Sequence, residues 1–157
     1  MRIGIGYDSH RFCSGRVIHI GGVAIPCQFG IDAHSDGDVL LHALCDALLG
    51  ALALGDIGQH FPDTDSNYQN ADSSMFVEKI MNLVRERGFA VENIDSTVIC
   101  EAPKLKKIIP LMRENIATLL NTDVCNVSVK ATTNEKMDSI GRLEGLASQV
   151  VVLLKKI

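Results

Sequence analysis

The sequence predicts an α/β layer fold in which helices cover one face of a β-sheet. Segments with strand-like composition alternate along the chain with segments of helical period, which is typical of this class. Hydrophobic residues make up 46% of the 157 residues, and aromatic residues only 4%, so the core is expected to be mostly aliphatic. This length corresponds to one domain, and we expect residues 1–157 to form a single unit.

The first third of the chain predicts two small β-structures. Residues 2–7 are expected to form a strand. Residues 16–20 and 22–25 flank a Gly-Gly pair and predict the two arms of a β-hairpin. Residues 55–71, further along, follow neither period and are rich in Gly, Asp, Asn and Pro. A loop of that length is usually functional or disordered.

A helix is predicted over residues 34–55, because leucines recur there at helical spacing. Ser35 is the expected N-cap, with Asp38 three residues later in a weak capping box. The free N–H groups at such a helix start make a natural anion site. His34 and Ser35 are therefore candidates to contact a phosphate, although Ser35 could also serve as a cap alone.

The second half of the chain continues the alternation of helix and strand. Gly88 is expected to close one helix, and Pro110 to lie in the first turn of the next. The predicted elements are a helix over 72–87, a strand over 91–100, a helix within 103–121, a strand over 126–131, a loop or short helix over 132–145 and a strand over 146–154.

Bulk properties argue against several classes of partner. The net charge is −4 and no basic run occurs, so nucleic acid is not an expected partner. No stretch approaches 18 uncharged apolar residues, so no membrane span is expected. Five cysteines, an odd number without a C-x-x-C pair, indicate reduced thiols and a cytoplasmic protein.

Asp8, His10 and His42 are candidate metal ligands. Asp8 and His10 lie two residues apart, so in an extended chain they share one face. His42 lies among leucines with Asp38 and Asp46 four residues to either side. By itself this pattern favours an exposed polar stripe. Alternatively, His42 is a third ligand, with Asp46 accepting its other ring N–H. Three such ligands leave one position open on Zn²⁺, as in catalytic sites.

The segment 130–136 places two hydroxyls and a carboxylate in a row after a predicted strand. Thr132 and Thr133 are suited to hydrogen-bond phosphate oxygens, and Glu135 to hold a hard cation such as Mg²⁺. An ordinary polar turn would show the same composition, so the segment leaves both interpretations open. Residues 100–106 end another strand at a proline, which frees backbone groups able to contact a flat heterocycle.

Four stretches, taken in order, resemble the 2-C-methyl-D-erythritol 2,4-cyclodiphosphate synthase family of the non-mevalonate isoprenoid pathway. They are RIGIGYDSHRF, GIDAHSDGDVLLHALCDALLGALALGDIGQHFPDTD, ICEAPKL and VSVKATTNEK…GRLEG. The resemblance implies an α/β (α+β) layer fold with a mixed β-sheet, helices on one face and a small β-hairpin. It also implies a homotrimer, with the sheets facing the central axis and each site between two subunits.

The implied reaction converts 4-diphosphocytidyl-2-C-methyl-D-erythritol 2-phosphate into the 2,4-cyclodiphosphate and CMP. Asp8, His10 and His42 are implied to bind a divalent metal, usually zinc, and Glu135 a second cation, Mg²⁺ or Mn²⁺. His34 and Thr133 are the implied transition-state stabilisers. The implied substrate-binding residues are Asp8, Ser9, His10, His34, Ser35, Asp56, Ile57, Gly58, Phe61, Pro62, Asp63, Thr64, Asp65, Cys100, Glu101, Ala102, Pro103, Lys104, Leu105, Lys106, Thr132, Thr133, Asn134, Glu135 and Arg142.

Two other functions are compatible with the same residues. A zinc phosphohydrolase would use the three ligands to activate water, and it would need a general base near the metal and a second bridging carboxylate, for which Asp46 and Asp56 are the candidates. A non-catalytic trimer would bind isoprenoid diphosphates in a central cavity. The chain departs from the family pattern at Ser139, often aromatic, and Leu143, usually Gly, which bears on that accessory binding and on one substrate contact but not on the metal ligands.

Overall fold

The structure is a computed structural model that describes residues 1–62 and 64–157. Over these residues it contains seven strands, five α-helices and two 3₁₀ turns. The strands are β1 (Arg2–Cys13), β2 (Val17–Ile20), β3 (Val23–Pro26), β4 (Gly30–Asp32), β5 (Phe89–Ile99), β6 (Val127–Thr132) and β7 (Gly145–Lys156). The helices are α1 (Val39–Ala51), α2 (Ile57–His60), α3 (Ser73–Glu86), α4 (Ile109–Leu120) and α5 (Asp138–Gly141), and the 3₁₀ turns are Ser66–Tyr68 and Val124–Asn126.

Five strands form one mixed sheet in the order β4-β1-β7-β5-β6, and β2 and β3 form a separate hairpin. β5 and β6 run parallel, whereas the other neighbours are antiparallel. The predicted mixed sheet and small hairpin are therefore confirmed. β1 and β7 pair along nearly their whole length, with Asp8 directly opposite Ser148. These two residues consequently share a face of the sheet.

Helices α1, α3 and α4 cover one face of the sheet, as predicted. Leu146, Val150, Val152 and Leu154 of β7 are buried on that face, where α1 packs across β1 and β7. On the opposite face of β1, Ile3, Ile5 and Tyr7 are 71%, 62% and 58% exposed. One chain by itself therefore leaves an apolar sheet face uncovered.

Helix α1 lies unusually close to strand β1 because two glycines face it. A Cβ atom at Gly4 would overlap the carbonyl oxygen of Ala47, and one at Gly6 that of Ala43. The absence of a side chain at these positions lets the helix backbone rest directly on the strand. This approach brings the next inward-facing residue of β1, Asp8, beneath His42.

The helix predicted from residue 34 begins at Val39, and its N-cap is Asp38 rather than Ser35. Gly37 has φ +71°, which takes the chain out of the helical region before the cap. The buried Asp38 carboxylate accepts the N–H groups of Leu40 and Leu41 at 3.1 and 3.0 Å. The prediction of an anion site at the free end of this helix is therefore wrong, because Asp38 already occupies that end.

Asp38 also joins the hairpin to α1. Its two carboxylate oxygens accept the N–H groups of Gly21 and Gly22, at 2.9 and 2.6 Å, from the β2–β3 turn. Both glycines have positive φ, +63° and +74°, as a tight turn of this kind requires. One side chain thus satisfies four backbone donors, three of which belong to buried residues and would otherwise lack a partner in the core.

The remaining elements follow the predictions with three differences. β1 continues to Cys13 instead of ending at residue 7, β4 was not predicted, and the segment 55–71 contains α2 and a 3₁₀ turn rather than only loop. Asp56 and Asp65 cap these two short turns. Gly88 ends α3 at φ +74°, and Pro110 lies in the first turn of α4. Among the described residues, no helix is long and apolar enough to cross a membrane.

Candidate functional site

Asp8, His10 and His42 converge on one point between the sheet and α1. His42 Nδ1 lies 3.1 Å from Asp8 Oδ2 and 3.0 Å from His10 Nε2, and His10 Nε2 lies 3.0 Å from Asp8 Oδ2. The three ligand atoms therefore form a nearly equilateral triangle. Their side chains are only 12–26% exposed. We call this group the Asp-His-His triangle.

The backbone explains why these three side chains meet. β1 alternates inward and outward residues, so Asp8 and His10 both point to the helical side. His42 lies in the first turn of α1, directly above them. The interpretation of His42 as part of an exposed polar stripe is wrong. The His42 side chain is only 12% exposed and faces Asp8.

The charges in the triangle are strongly coupled. Burial opposes ionisation of Asp8, but hydrogen bonds and charges from His10 and His42 outweigh it and lower its pKa to about 2. Burial likewise opposes protonation of His42, yet the hydrogen bond and charge of Asp8 raise the pKa of His42 above its usual value. The triangle thus has a carboxylate that is ionised at neutral pH and an imidazole partner that favours positive charge.

The donor set fits a divalent metal ion. Two imidazole nitrogens and a carboxylate oxygen lie 3.0–3.1 Å from one another, and these residues could hold a metal ion. Bonds of about 2.0–2.1 Å in a tetrahedron would place neighbouring ligand atoms about 3.3 Å apart, close to the spacing seen here.

The other ring nitrogen of His42 contacts two hydroxyl groups. Nε2 lies 2.9 Å from Ser73 Oγ and 3.1 Å from Ser35 Oγ. The suggestion that Asp46 accepts this N–H is wrong. The Asp46 carboxylate instead accepts the N–H of Ile57 at 2.7 Å and so holds the start of α2.

A cavity of about 400 Å³ opens beside the triangle. Its lining combines predicted polar residues with an apolar side where Phe61 and Phe76 have ring centroids 4.6 Å apart. Eight residues predicted to bind metal or substrate line it, together with Ala33, Tyr68 and Phe76, which were not predicted. The predicted ones are His10, His34, Ser35, His42, Ile57, Gly58, Phe61 and Pro62.

A second cavity, of about 190 Å³, lies where β5 and β6 end. It forms there because these strands are parallel and adjacent, so their carboxyl ends meet at one edge of the sheet. Apart from Ala131, every residue that lines it was predicted to contact substrate. Those residues are Cys100, Pro103, Lys104, Leu105, Lys106, Thr132 and Thr133.

Several predicted residues lie near these cavities without lining them. Glu101 Oε1 accepts the N–H groups of Asn134 and Lys136 at 2.9 and 3.2 Å, which ties the two segments of the second cavity together. Thr133 donates to Glu135 Oε1 at 3.2 Å. Three further predicted residues line neither of the two cavities. Ala102 lies in the turn after β5, and Thr64 is exposed. Ser9 lines a separate cavity on the other side of β1.

Three predicted carboxylate or cationic residues make local contacts instead. Asp56 accepts the N–H of Gln59 at 3.0 Å, and Asp65 that of Asn67 at 2.9 Å, as caps. Arg142 Nε donates to Glu144 at 2.7 Å on the surface. Asp63 lies outside the described residues.

Sequence reasoning missed Ser73, Tyr68 and Phe76. Ser73 follows the N-cap Asp72. A serine at the start of a helix is common and by itself indicates no functional role. Phe76 lies on the apolar side of α3 and is buried, so the sequence offers no sign that it also borders a cavity. Only the approach of α3 to the loop before α1 reveals that these residues border the site.

Fold and site together define a mixed α/β protein with a three-ligand candidate metal centre that opens into a cavity. The chain belongs to the YgbB family, whose model matches residues 1–155.

Comparison with individual proteins gives a more specific result. The chain is 58% identical, over 99% of both chains, to the 2-C-methyl-D-erythritol 2,4-cyclodiphosphate synthase of Ectopseudomonas mendocina. Its fold matches the Plasmodium falciparum IspF CDP complex with a TM-score of 0.87 and 34% identity, over 99% of this chain and 96% of that one. It also matches the bifunctional IspDF of Campylobacter jejuni with a TM-score of 0.95 and 46% identity, over 99% of this chain but only 42% of that longer chain.

Proposed function

We propose that the protein is a phosphorus–oxygen lyase that forms 2-C-methyl-D-erythritol 2,4-cyclodiphosphate in isoprenoid biosynthesis. Its substrate would be 4-diphosphocytidyl-2-C-methyl-D-erythritol 2-phosphate, and CMP the second product. The observation that carries this proposal is the Asp-His-His triangle at the edge of the 400 Å³ cavity. It occurs in a chain that is 58% identical to an enzyme named for this reaction.

The reaction is an intramolecular phosphoryl transfer. An oxygen of the 2-phosphate forms a bond to the β-phosphorus, and the bond from that phosphorus to the bridging oxygen breaks, so that CMP leaves with the electron pair. A phosphate monoester has a second pKa of about 6 and is already anionic at neutral pH. The protein therefore needs no general base, and its task is to neutralise charge and align the reacting groups.

The first cavity suits the methylerythritol end of this substrate. Its apolar side, with Ile57 and Phe61, suits a methyl-branched carbon chain, and His34 and Ser35 lie on its polar side. His34 is exposed and free to donate a hydrogen bond to a phosphate oxygen that gains charge. A dication held by Asp8, His10 and His42, which we propose is zinc, supplies positive charge against the phosphate oxygens.

The second cavity suits the cytidine diphosphate end. Lys104 and Lys106 supply positive charge, and the backbone after β5 offers donors and acceptors to a pyrimidine. Thr133 donates to Glu135 in this structure and would turn to a phosphate oxygen when substrate binds. Glu135 would then hold a second cation, Mg²⁺ or Mn²⁺, for which a carboxylate oxygen is the preferred ligand type.

We further propose a single-domain chain that forms a homotrimer with sites between subunits. The exposed apolar face at Ile3, Ile5 and Tyr7 is a surface that a monomer rarely leaves in water. In the described part of the chain the two cavities share no lining residue, so a neighbouring subunit is well suited to bring them together. Each of the five cysteines is a free thiol, as is usual in a reducing compartment, and we place the enzyme in the cytoplasm.

Phosphorus NMR tests the proposed reaction directly. The protein with Zn²⁺, Mg²⁺ and the proposed substrate is expected to yield CMP and the two coupled signals of a cyclic diphosphate. Linear phosphate products would contradict the proposal and support a zinc phosphohydrolase. An unchanged spectrum together with tight binding of prenyl diphosphates would contradict it in favour of a non-catalytic binding protein.

A further inference from the structure

A buried hydroxyl lies behind the Asp-His-His triangle, on the side away from the metal position. We propose that Ser73 is a positioning residue: its oxygen accepts the Nε2–H of His42 and so keeps the Nδ1 lone pair directed toward Asp8 and His10. This inference rests on the proposed function only in that it concerns the metal centre which that function requires. It assigns a role to two residues outside the predicted site, Ser73 and Asp36.

The direction of the hydrogen bonds follows from Asp36. Ser73 is completely buried at the start of α3. Its N–H donates to Asp36 Oδ2 at 3.0 Å, and its hydroxyl donates to Asp36 Oδ1. An ionised carboxylate only accepts hydrogen bonds, and a hydroxyl has a single proton to give. With that proton directed to Asp36, Ser73 Oγ presents a lone pair to His42 Nε2, 2.9 Å away.

The tautomer of His42 is fixed as a result. Because Nε2 faces a lone pair, the nitrogen there carries the proton, and Nδ1 is left to act as a ligand. Metal-binding histidines usually have such a partner on the second nitrogen, which holds the ring orientation and raises its basicity. Here the partner is a serine hydroxyl whose own orientation is set by a carboxylate.

The backbone holds this arrangement in place. The loop before α1 is bonded to the segment before α3 through Asn70 N–H to His34 O at 2.8 Å and Asp36 N–H to Ala71 O at 3.1 Å. Asp36 also accepts the N–H of Asp38 at 3.1 Å. The Asp36 carboxylate is thus held by main-chain N–H groups of the loop before α1 and of the start of α3. These contacts keep Ser73 next to His42.

Ser35 has a different position and, we infer, a different task. It lies 3.1 Å from the same nitrogen but lines the cavity, and its oxygen accepts the N–H of Gly37 at 3.3 Å. Since Ser73 is closer and buried, it takes the imidazole N–H. The Ser35 proton then remains available for a ligand in the cavity.

Metal affinity tests the role of Ser73. Metal-free wild type, Ser73→Ala, Ser73→Thr and Ser74→Ala would be titrated with Co²⁺ and followed by visible absorption. Ser73→Ala is expected to bind about 10–100-fold more weakly, and Ser73→Thr to recover most of this loss because it keeps the hydroxyl. Ser74→Ala changes the next residue of the same helix turn and is expected to bind as wild type. Wild-type Co²⁺ affinity in Ser73→Ala would overturn the proposal.

The imidazole proton provides a second readout that a general loss of stability would not mimic. In the Cd²⁺- or Zn²⁺-loaded protein, the His42 Nε2–H is expected to give a slowly exchanging NMR signal in wild type and Ser35→Ala. It is expected to be lost to exchange in Ser73→Ala. A protected signal in Ser73→Ala, lost instead in Ser35→Ala, would overturn the assignment. Neither measurement uses substrate, so failure of the proposed reaction would appear separately, as the absence of CMP release by wild type.

Discussion

The Nδ1 atom of His42 lies 3.1 Å from Oδ2 of Asp8 although 34 residues separate them in sequence. The contact joins the first turn of α1 to the middle of β1, and it exists because glycines in β1 let the helix rest on the strand. Helix packing and the metal site are therefore parts of one arrangement. A change in either is expected to affect the other.

Removal of His42 is expected to abolish both metal binding and turnover. His42→Ala leaves two ligands from one strand, too few to hold a dication against water. Bound metal measured by elemental analysis is expected to fall well below one ion per chain, and CMP release to become undetectable. The oligomeric state measured by light scattering is expected to stay unchanged, because His42 is remote from the exposed sheet face. Full activity in this variant would contradict the metal assignment.

Metal affinity is expected to rise with pH. The pKa of His42 is raised by the hydrogen bond and charge of Asp8, which outweigh burial, and a proton on His42 competes with the metal. With the pKa of Asp8 at about 2, that carboxylate stays ionised throughout. Co²⁺ titrations between about pH 6 and 8.5 are expected to show tighter binding as pH rises through the raised pKa of His42. A flat profile would contradict this coupling.

In the metal-free protein, the interaction between Asp8 and His42 makes the folding stability fall as pH rises, whereas metal affinity rises. A raised pKa in the fold means that protonated His42 adds stability below the unfolded value of about 6.5, and that this contribution is lost at higher pH. Asp8 adds stability above its unfolded pKa of about 3.9, which is lost as pH falls toward 2. Thermal unfolding of metal-free protein is expected to show decreasing stability from about pH 6 to pH 9, and Asp8→Asn to remove this dependence.

Glu135 is expected to set the requirement for the second cation. Glu135→Gln removes a negative charge but keeps the shape of the side chain, so weaker binding of Mg²⁺ is expected. Titration of activity with Mg²⁺ should show half-saturation at a higher concentration, with little change in bound zinc. Glu114→Gln, an exposed substitution on α4, is the matched control. Identical Mg²⁺ curves for wild type and Glu135→Gln would remove Glu135 from the cation site.

Asp38 is expected to matter far more to stability than an ordinary helix cap. Asp38→Ala removes the partner of four backbone N–H groups, three of them on buried residues, and we expect a loss of about 2–4 kcal/mol. Asp72→Ala removes a cap of α3 that accepts one exposed N–H, at a cost of about 1 kcal/mol. Urea unfolding of the two variants compares them. Equal losses would show that the link from Asp38 to the hairpin turn adds nothing.

Gly6 of β1 faces α1, and Gly50 of α1 faces β1. Substitution of each by alanine tests the contact between the helix and the strand. Gly6→Ala places a methyl group against the carbonyl oxygen of Ala43, so it is expected to lower stability by about 1–3 kcal/mol and to weaken metal binding by displacing Asp8. Gly50→Ala, in α1, meets only the carbonyl oxygen of Ile5 at 3.8 Å. It is expected to be neutral or stabilising, by up to about 1 kcal/mol. Normal metal affinity in Gly6→Ala would show that the close packing of α1 on β1 does not position Asp8 for metal binding.

The elements that depend on chemistry within a few residues could be predicted from the residues alone. The leucine period of α1, the stop at Gly88 and the proline at the start of α4 all act within a few residues, and these helices formed within the predicted segments, although α1 is shorter at both ends than the predicted 34–55. The pairing of Asp8 with His10 was also local, because alternate residues of a strand share a face. The family resemblance then supplied the grouping of these two residues with His42.

Features that depend on contacts between distant segments of the chain could not be predicted in this way. Ser35 resembles a cap in sequence, yet the turn of the hairpin comes close enough for Asp38 to take that role with four donors. Asp46 has the right helical spacing to reach His42, yet α2 draws it away, and Ser73 arrives from another helix. Helical spacing places a side chain on a face of its own helix, whereas the identity of its partner depends on which other segment packs there.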